Sequence, residues 1–431
     1  MQKFKVVILL MASMVSIVSG YYVVKNYHYS LWTGSNRYTD FEVYYKAGVR
    51  FTSDSDSTYI TPGITPETGG TYNYPPLAML YFAPVSSFGY VRAYTIFSVI
   101  SIVSSFVIAY IVLLIMREYM IPPTRMQTIA TYLLTASFTP VWQDMKHGQV
   151  NALVAMCVLL FMWLMLRQQY GRAAFILFMG FWLKIYSALF VIFVLPFLFR
   201  RSNLYRELKV KNKQWSIVLY FILAFAVPPL VLSPFIPLSL YKYYFIELLP
   251  HLSRLTNLSG FNQSIYGVIA RYTYGEGHRS LWEFVPIEGW VKILGTTITL
   301  AMIGYICRRL WHGTTQNFIL SVFIFMAFIP IISQYGWEYV YVFALPLVLM
   351  VLLHVFSQQK LTRYSVTALI GLMLFWIPKP SAEFLESTAN VIPLLWYQIF
   401  SFRWIVALLL ISVSALVFFK EKPQKTANTI G

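Results

Sequence analysis

The sequence predicts an all-α integral membrane protein, a polytopic helical bundle whose chain crosses a bilayer about 12 times. Composition is the first reason, because 58% of the 431 residues are hydrophobic and only 11% are charged. A soluble domain usually has about a quarter charged residues. The second reason is that apolar runs recur along the whole chain and leave no stretch for a soluble domain. Residues 1–431 are therefore predicted to form a single membrane domain.

The predicted spans are apolar runs close to the length that an α-helix needs to cross the hydrocarbon core. They lie near 6–24, 92–116, 127–142, 150–166, 215–233, 288–307, 315–332, 339–356, 364–378 and 402–419. The run 173–199 is too long for one span and has Lys184 near its middle, so we interpret it as a hairpin of two short helices. The run 77–90 is either a re-entrant or an interfacial helix.

Charge sets the predicted orientation. Lys3 and Lys5 precede the first apolar run, which favours an uncleaved first helix over a signal peptide because no small-x-small cleavage motif follows. More than half of the 33 basic residues fall on loops of one side, and most of the 16 acidic residues fall on the other. By the positive-inside rule, both termini and the tail 420–431 are cytoplasmic. Two long loops, 25–91 and 234–287, then face outward.

Several classes of partner and site are not indicated. The net charge of +17 predicts no nucleic-acid partner, because the basic residues are dispersed between apolar spans. Cys157 and Cys307 lie in apolar runs without a CxxC motif, so neither a disulfide nor a zinc site is expected. The sequence has no Walker loop, HExxH or GxSxG motif. We therefore expect no cofactor and no metal.

The first outer loop contains the candidate general base. Asp40 and Glu42 stand in YTDFEVYYKAG, and a partly desolvated carboxylate can act as a base near neutral pH. From composition alone, a solvated loop carboxylate is the more common interpretation. The two would share a face on a strand but diverge by about 200° on a helix. Tyr74, in the YNYPP turn, is either an interfacial anchor or a ring that stacks on a sugar.

Further polar residues begin or interrupt apolar spans. His147, Gln149 and Asn151 stand in DMKHGQVN, and the two amides open a span, where they need either a neighbouring helix or a ligand as partner. Lys184 within apolar chain favours a bound anion, with snorkelling to the interface as the alternative.

The later outer segments add groups suited to a sugar phosphate. In FNQSIYGVIARY, Asn262 and Gln263 can hydrogen-bond a polyol, and the Arg271 guanidinium is suited to phosphate. SQYGWE places Trp337 and Glu338 at an outer membrane boundary, where a belt tryptophan is the ordinary role.

These motifs, in this order, resemble those of glycosyltransferase family 87, within the GT-C superfamily. The resemblance rests on DFxVYYxAG, YxYPP, GQVN, LKIYS, NQSIYG with Arg271, and SQYGWE. It covers the chain from about Asp40 to about Pro346. In one departure, family members often carry a histidine shortly after the late tryptophan, where this chain has Tyr339 and Tyr341. Either Glu338 or a tyrosine takes its place, or the substrate differs.

The resemblance implies a GT-C-type bundle and a hexosyltransferase, expected to be a mannosyltransferase, in the cell membrane. Its donor would be a polyprenyl-phosphate sugar and its acceptor a glycolipid or envelope glycan, on the outer face. Asp40 matches the catalytic base of an inverting single displacement, and Lys184 or Arg271 would stabilise the leaving phosphate. The predicted substrate-binding residues are Glu42, Tyr74, His147, Gln149, Asn151, Lys184, Asn262, Gln263, Arg271, Trp337 and Glu338. The main alternative is a transporter of a lipid or small solute, and a third is an inactive scaffold.

The orientation can be tested by labelling with a membrane-impermeant thiol reagent. A cysteine introduced at Arg206 should stay unlabelled in intact cells, and one introduced at Asn262 should react, because the positive-inside rule places them on opposite sides. The unmodified chain, with Cys157 and Cys307, gives the background. Labelling at position 206 from outside would overturn the predicted topology.

Overall fold

The computed structural model describes most of the chain. The described residues are 40–59, 72–199, 202–211, 214–258, 262–274, 284–358, 362–376 and 394–418, with a few positions between 11 and 21. The predicted first span 6–24 falls mostly, and the tail 420–431 wholly, outside the described residues.

Helices make up nearly all the regular structure of this part of the chain. In order they are α1 (Asp40–Ser53), α2 (Met79–Ser86), α3 (Tyr90–Tyr119), α4 (Arg125–Ser137), α5 (Thr139–Lys146), α6 (Asn151–Leu166), α7 (Tyr170–Leu183), α8 (Leu195–Leu198), α9 (Asn203–Glu207), α10 (Gln214–Val231), α11 (Leu238–Lys242), α12 (Leu249–Leu252), α13 (Ile265–Tyr274), α14 (Gly289–His312), α15 (Thr315–Ile332), α16 (Leu345–Ser357), α17 (Arg363–Trp376) and α18 (Leu394–Phe418). Shorter 3₁₀ segments cover Ser55–Ser57, Pro76–Ala78, Ile185–Val194 and Glu338–Ala344, and Tyr243–Leu248 is π-helical.

Many of these helices are apolar enough for a membrane. Among the described residues, five stretches are also long enough to cross one: Tyr90–Tyr119, Gln214–Val231, Gly289–Trp311, Thr315–Ile332 and Glu338–Ser357. Shorter apolar helices cover Pro76–Ser86, Asn151–Leu166, Tyr170–Leu183, Ile185–Leu198, Arg363–Phe375 and Ile405–Phe418. A mainly helical membrane architecture is thus supported, while the total of about 12 spans remains a prediction.

Burial separates the centre of the bundle from its edge. The apolar window of Thr315–Ile332 is 83% buried and that of Glu338–Ser357 is 89% buried, so these two form the centre. The windows in Gln214–Val231 and Gly289–Trp311 are only 11% and 17% buried. A helix that is apolar all round but exposed needs an apolar solvent. The α10 and α14 helices are therefore the surfaces available to lipid.

The segment 170–198 folds back on itself at Lys184, as the sequence predicts. The ring of Tyr170, at the start of α7, packs against Phe197 in α8 with centroids 5.8 Å apart. Lys184 has an extended backbone that ends α7, and a 3₁₀ helix begins directly after it. The second arm is therefore mainly 3₁₀, where an α-helix is predicted. The turn places the lysine at the apex of the hairpin.

The structure differs from the sequence prediction in two places. The predicted helix 127–142 is interrupted, because Phe138 is extended and Pro140 starts a new helix, α5. Proline fits the first turn of a helix but not its interior. In addition, β1 (Leu255–Asn257) and β2 (Phe284–Pro286) pair antiparallel, so the fold is not entirely α. Strands of three residues are too short to show an alternating pattern.

The predicted outer loops 25–91 and 234–287 contain regular structure where they are described. The helices α1 and α2 lie within the first loop, and Tyr59 and Tyr72 between them are buried. The second loop contains α11 to α13 and the two strands. These segments therefore position side chains firmly, which an irregular loop would not do.

Candidate active site

The polar side chains of the candidate site meet around Gln149. They come from the start of α1 (Asp40, Tyr44), the turn before α2 (Tyr74), the turn between α5 and α6 (His147 to Asn151), the hairpin apex (Lys184, Tyr186) and the 3₁₀ helix Glu338–Ala344 (Tyr339). Asp40 and Tyr339, the ends of this set, are 299 residues apart in the sequence, so the helical bundle brings them together.

Asp40 is the first residue of α1, and the backbone beside it is anchored to the α5–α6 turn. The Phe41 N–H donates to the His147 carbonyl at 3.1 Å. Gly148 has a φ of +59°, and a Cβ there would lie 2.5 Å from the Cβ of Phe41. Only glycine combines this backbone conformation with such a close approach. The contact holds the start of α1 against the turn that carries Gln149.

Gln149 joins the carboxylate of Asp40 to the ammonium of Lys184. Its Nε2 donates to Oδ2 of Asp40 at 2.6 Å. Its Oε1 accepts from Nζ of Lys184 at 2.9 Å and from the hydroxyl of Tyr44 at 2.7 Å. Because Gln149 is only 2% exposed, water does not compete strongly for these hydrogen bonds.

Lys184 lies in a buried cage of oxygens and aromatic rings. Besides Gln149, its Nζ donates to Oδ1 of Asn151 at 2.9 Å. The Nζ also lies 5.2 Å from the ring centre of Tyr74, with Tyr186 and Tyr339 at 6.0 and 5.9 Å. Ring faces attract a cation at such distances. The cage thus offsets part of the cost of burying the ammonium.

Burial has the largest effect on the pKa of Lys184, despite these contacts. Burial lowers the pKa of Lys184 to about 8, and the attraction of Asp144 and Asp40 opposes that shift. The amine is therefore charged at neutral pH and loses its charge as the pH rises through about 8.

Asp144 fixes the position of Asn151, which binds Lys184. Its carboxylate accepts from the Ser101 hydroxyl at 2.7 Å, from Nδ2 of Asn151 at 2.8 Å, and from the N–H groups of Asn151 and Ala152 at 3.2 and 3.1 Å. Burial raises the pKa of Asp144, while these hydrogen bonds and Lys184 lower it. The carboxylate satisfies the first N–H groups of α6 and turns Oδ1 of Asn151 toward Lys184.

Tyrosine hydroxyls complete the cluster. Tyr186 donates to Oδ1 of Asn151 at 2.6 Å, and the hydroxyls of Tyr44 and Tyr74 bond to each other. Burial raises the pKa of Tyr44 and Tyr74, so both stay protonated and can donate. Tyr339 lies close enough to interact electrostatically with Asp40. Neutral donors therefore surround the carboxylate and the amides.

Glu42, His147 and Trp337 lie at the periphery of the cluster. Glu42 is two residues beyond Asp40 on a helix and pairs with Lys46 at 2.6 Å, one turn further on. Because Asp40 and Glu42 lie on a helix and not on a strand, their side chains point in different directions. The rings of His147 and Trp337 lie 5.4 and 6.5 Å from the ring of Tyr339. They border the phenol that faces Asp40.

Asn262 belongs to a second polar cluster, in which it joins two chain segments. Its Oδ1 accepts from the Gly336 and Ser264 N–H groups at 2.8 and 3.2 Å. Its Nδ2 donates to the carbonyls of Asn257 and Gln334 at 2.9 and 3.1 Å. Both ends of this buried amide are thus used by protein groups. The predicted substrate-binding role of Asn262 remains untested, but its contacts are those of a structural residue.

Gln263, Arg271 and Glu338 lie in the same second cluster. Nη1 of Arg271 donates to the Asn262 carbonyl at 2.8 Å. Arg271 and Glu338 both lie close enough to Tyr341 to interact with it electrostatically. The Gln263 side chain is 2% exposed, and its Oε1 has no hydrogen-bond partner among the described residues. The sequence offers both Arg271 and Lys184 as cations for the donor phosphate, but the structure places them in different clusters.

Sequence reasoning named most of the central cluster but assigned no role to three of its members. These are Tyr44, Asp144 and Tyr186. Tyr44 had a usable signal, since it stands four residues after Asp40 and shares its face on a helix. Tyr339 was considered only as a substitute for the histidine that family members often carry.

The described residues contain no group of three or more His, Cys, Asp or Glu side chains that could hold a metal ion. The central cluster contains a carboxylate, Asp40, linked through Gln149 to a buried ammonium, Lys184. Such a pair can take a proton from a hydroxyl and stabilise a departing anion.

Comparison with known families agrees with this chemistry. The model of glycosyltransferase family 87 matches residues 72–334, more than half of the chain. The match includes Gln149, Lys184 and Arg271, whereas Asp40 and Trp337 lie outside it. No curated protein and no solved structure matches the chain.

The contact between Gly148 and Phe41 can be tested with a matched pair of substitutions. Gly148→Ala should lower thermal stability in detergent, because it combines a positive φ with a clash against Phe41. Gly89→Ala is the control, since Gly89 has a φ of +80° but nothing within 4 Å of a Cβ. A positive φ costs a non-glycine residue about 1–3 kcal/mol at either position, and the clash at Gly148 adds about 1–3 kcal/mol. Equal losses of Tm would show that the close approach is unimportant.

Proposed function

The chain belongs to glycosyltransferase family 87, and on that basis we propose that it is a GT-C-type hexosyltransferase, specifically a mannosyltransferase. Its donor is a polyprenyl-phosphate sugar, and its acceptor is a hydroxyl of a glycolipid or envelope glycan. The reaction takes place at the outer face of the cell membrane, in a multi-pass protein with both termini in the cytoplasm. One observation carries the proposal: Gln149 joins the carboxylate of Asp40 and the ammonium of Lys184 within one buried cluster.

The proposed reaction is a single displacement with inversion. The acceptor hydroxyl oxygen attacks the anomeric carbon, and Asp40 takes the proton of that hydroxyl. The bond between the anomeric carbon and the phosphate oxygen breaks, and its electron pair leaves with the phosphate. The products are the extended glycan and polyprenyl phosphate. Lys184 stabilises the charge that develops on the phosphate.

Two properties of Lys184 support its role beside the phosphate. The ammonium has three hydrogens, and among the described residues Gln149 and Asn151 accept two of them, which leaves one to donate to a ligand. A buried cation that contacts no anion in the described part of the chain also gains from binding one. Arg271 is the second candidate, and from its own cluster it would reach a different part of the substrate.

The surface of the bundle suits a lipid-linked donor. An isoprenoid tail must remain in lipid, so the sugar phosphate lies at the membrane edge. The exposed apolar helices α10 and α14 offer the tail a place outside the packed centre. Buried tyrosines around Lys184 can pack against the sugar, as Tyr74 does against the ammonium.

The family assignment does not favour a transporter, the main alternative from the sequence. A transporter would bind the donor without breaking its glycosidic bond, and an inactive scaffold would release no product. Incubation of the purified protein with a panel of polyprenyl-phosphate sugars and membrane lipid acceptors distinguishes these cases. Release of polyprenyl phosphate, greatest with mannose, is the expected result.

The role of Asp40 is tested in the same assay. Asp40→Asn keeps the shape of the side chain but cannot take a proton, so kcat should fall by about 10²–10⁴-fold. Donor affinity and thermal stability should change little. Glu42→Gln is the matched control, since Glu42 lies on the same helix and pairs with Lys46; its kcat should stay within about threefold. If Asp40→Asn is fully active and Glu42→Gln is not, Glu42 is the base.

The role of Lys184 predicts a fall of kcat/KM on the alkaline side. The pKa of Lys184 is lowered to about 8 by burial, so the charged form exists below that pH and donor binding weakens above it. Lys184→Arg keeps its charge at all accessible pH values and should remove the alkaline limb, even if the larger side chain lowers the rate. His147→Gln should keep the limb, because that ring contacts Tyr339 rather than Lys184. An alkaline limb that persists in Lys184→Arg would exclude Lys184 as its source.

A further inference from the structure

We propose that Gln149 is a positioning residue, which fixes the carboxylate of Asp40 and links its orientation to the charge of Lys184. The inference rests on the proposed role of Asp40 as base. It reassigns Gln149, which the sequence suggests as a substrate-binding residue, to a role that acts through another side chain.

The direction of the Gln149 amide is determined by its neighbours. The two ends of a glutamine amide have nearly the same shape, and the hydrogen-bond network decides which end faces which partner. An ammonium can only donate, so the end beside Lys184 must be Oε1. An ionised carboxylate can only accept, so the end beside Asp40 must be Nε2. The observed contacts, at 2.9 and 2.6 Å, have this arrangement.

Additional donors reinforce the same direction. The Tyr44 hydroxyl donates to Oε1 at 2.7 Å, and Nδ2 of Asn151 approaches the same oxygen at 3.4 Å. Rotating the amide by 180° would bring its NH₂ group against the ammonium and its oxygen against the carboxylate. Because Gln149 is buried, no water can readily replace the lost hydrogen bonds.

The fixed amide determines how Asp40 can meet a substrate. A carboxylate has about four acceptor positions. Nε2 of Gln149 uses one of them on Oδ2, and the Tyr339 phenol lies nearby, so acceptor positions remain for the hydroxyl that is to be deprotonated. The backbone end of Asp40 is anchored separately by the Phe41–His147 hydrogen bond. Both ends of the side chain are therefore held before substrate binds.

Lys184 enters this mechanism through its charge. A neutral amine has a lone pair and can accept a hydrogen bond as well as donate one. Once Lys184 has lost its proton, the Gln149 amide could therefore rotate by 180° and donate its NH₂ group to the lysine. The charged and titratable groups that act on Lys184 are Asp40 and Asp144, both of which favour the ammonium, and the phenols of Tyr74, Tyr186 and Tyr339. A positively charged Lys184 thus maintains the orientation of the base.

Two substitutions of Gln149 test the proposal in the glycosyl-transfer assay with a polyprenyl-phosphate sugar. Gln149→Met keeps the length of the side chain but removes the hydrogen bonds, so kcat should fall by at least about tenfold with donor KM changed less than about threefold. Gln149→Glu places a carboxylate beside Asp40, and the two would share a proton. The acid limb of the kcat/KM–pH profile should then move up by about one pH unit or more.

Gln127→Met is the matched control. Gln127 is a buried amide that bonds to the Leu353 carbonyl at 3.1 Å and to the Thr124 N–H at 2.7 Å, far from Asp40 in the chain and in no contact with the cluster. Its substitution removes hydrogen bonds of the same kind. We expect it to lower thermal stability and to leave the pH profile and the kcat per folded molecule unchanged.

The outcomes separate this inference from the proposed function. An unchanged acid limb in Gln149→Glu, or a loss in Gln149→Met that lies entirely in donor KM, would overturn the positioning role and make Gln149 a substrate ligand. Should Gln149→Met fail to fold, the pH profile of Gln149→Glu decides. Full activity of Asp40→Asn in the same assay would instead overturn the proposed function itself.

Discussion

The burial of one ammonium group constrains the rest of the site. Lys184 is 8% exposed, and an uncompensated charge at such a position is strongly unfavourable. Its compensation comes from two amide oxygens and three tyrosine rings rather than from a carboxylate in direct contact. Asp144 acts one step further away, through Asn151. Because the acidic groups remain at a distance, the ammonium keeps a hydrogen for an incoming anion.

The same constraint explains why the parts of the site are far apart in the sequence. The hairpin places Lys184 at an apex, and the amides that receive it begin a different helix, α6. Asp40, the proposed base, starts a third helix, α1, which needs Gly148 to approach the α5–α6 turn. Each segment supplies one or two groups, and none of them forms a site alone. Packing of the bundle is thus a condition for the chemistry.

Much of this could be predicted from the sequence. Hydropathy located the apolar helices, and the charge of Lys184 within an apolar run predicted the hairpin, because a buried lysine is costly in a continuous span. The amides of Gln149 and Asn151 were predicted to need a partner, and that partner is Lys184. Of the tyrosines, Tyr74 was predicted as a substrate-binding residue, whereas Tyr44 and Tyr186 were not predicted, since the chain has 32 tyrosines and a tyrosine near a membrane is usually an interfacial anchor. The β1–β2 pair was missed because its strands are too short for a pattern.

The 3₁₀ helix Glu338–Ala344 explains how the two polar clusters are related. With three residues per turn, Glu338 and Tyr341 share one face, while Tyr339 lies about 120° away. Accordingly, Tyr341 approaches the Gln263 carbonyl at 3.5 Å and interacts with Arg271, whereas Tyr339 faces Asp40 and Lys184. One short helix therefore contributes to both clusters. Tyr339 thereby places a phenol, which can donate a hydrogen bond, beside Asp40.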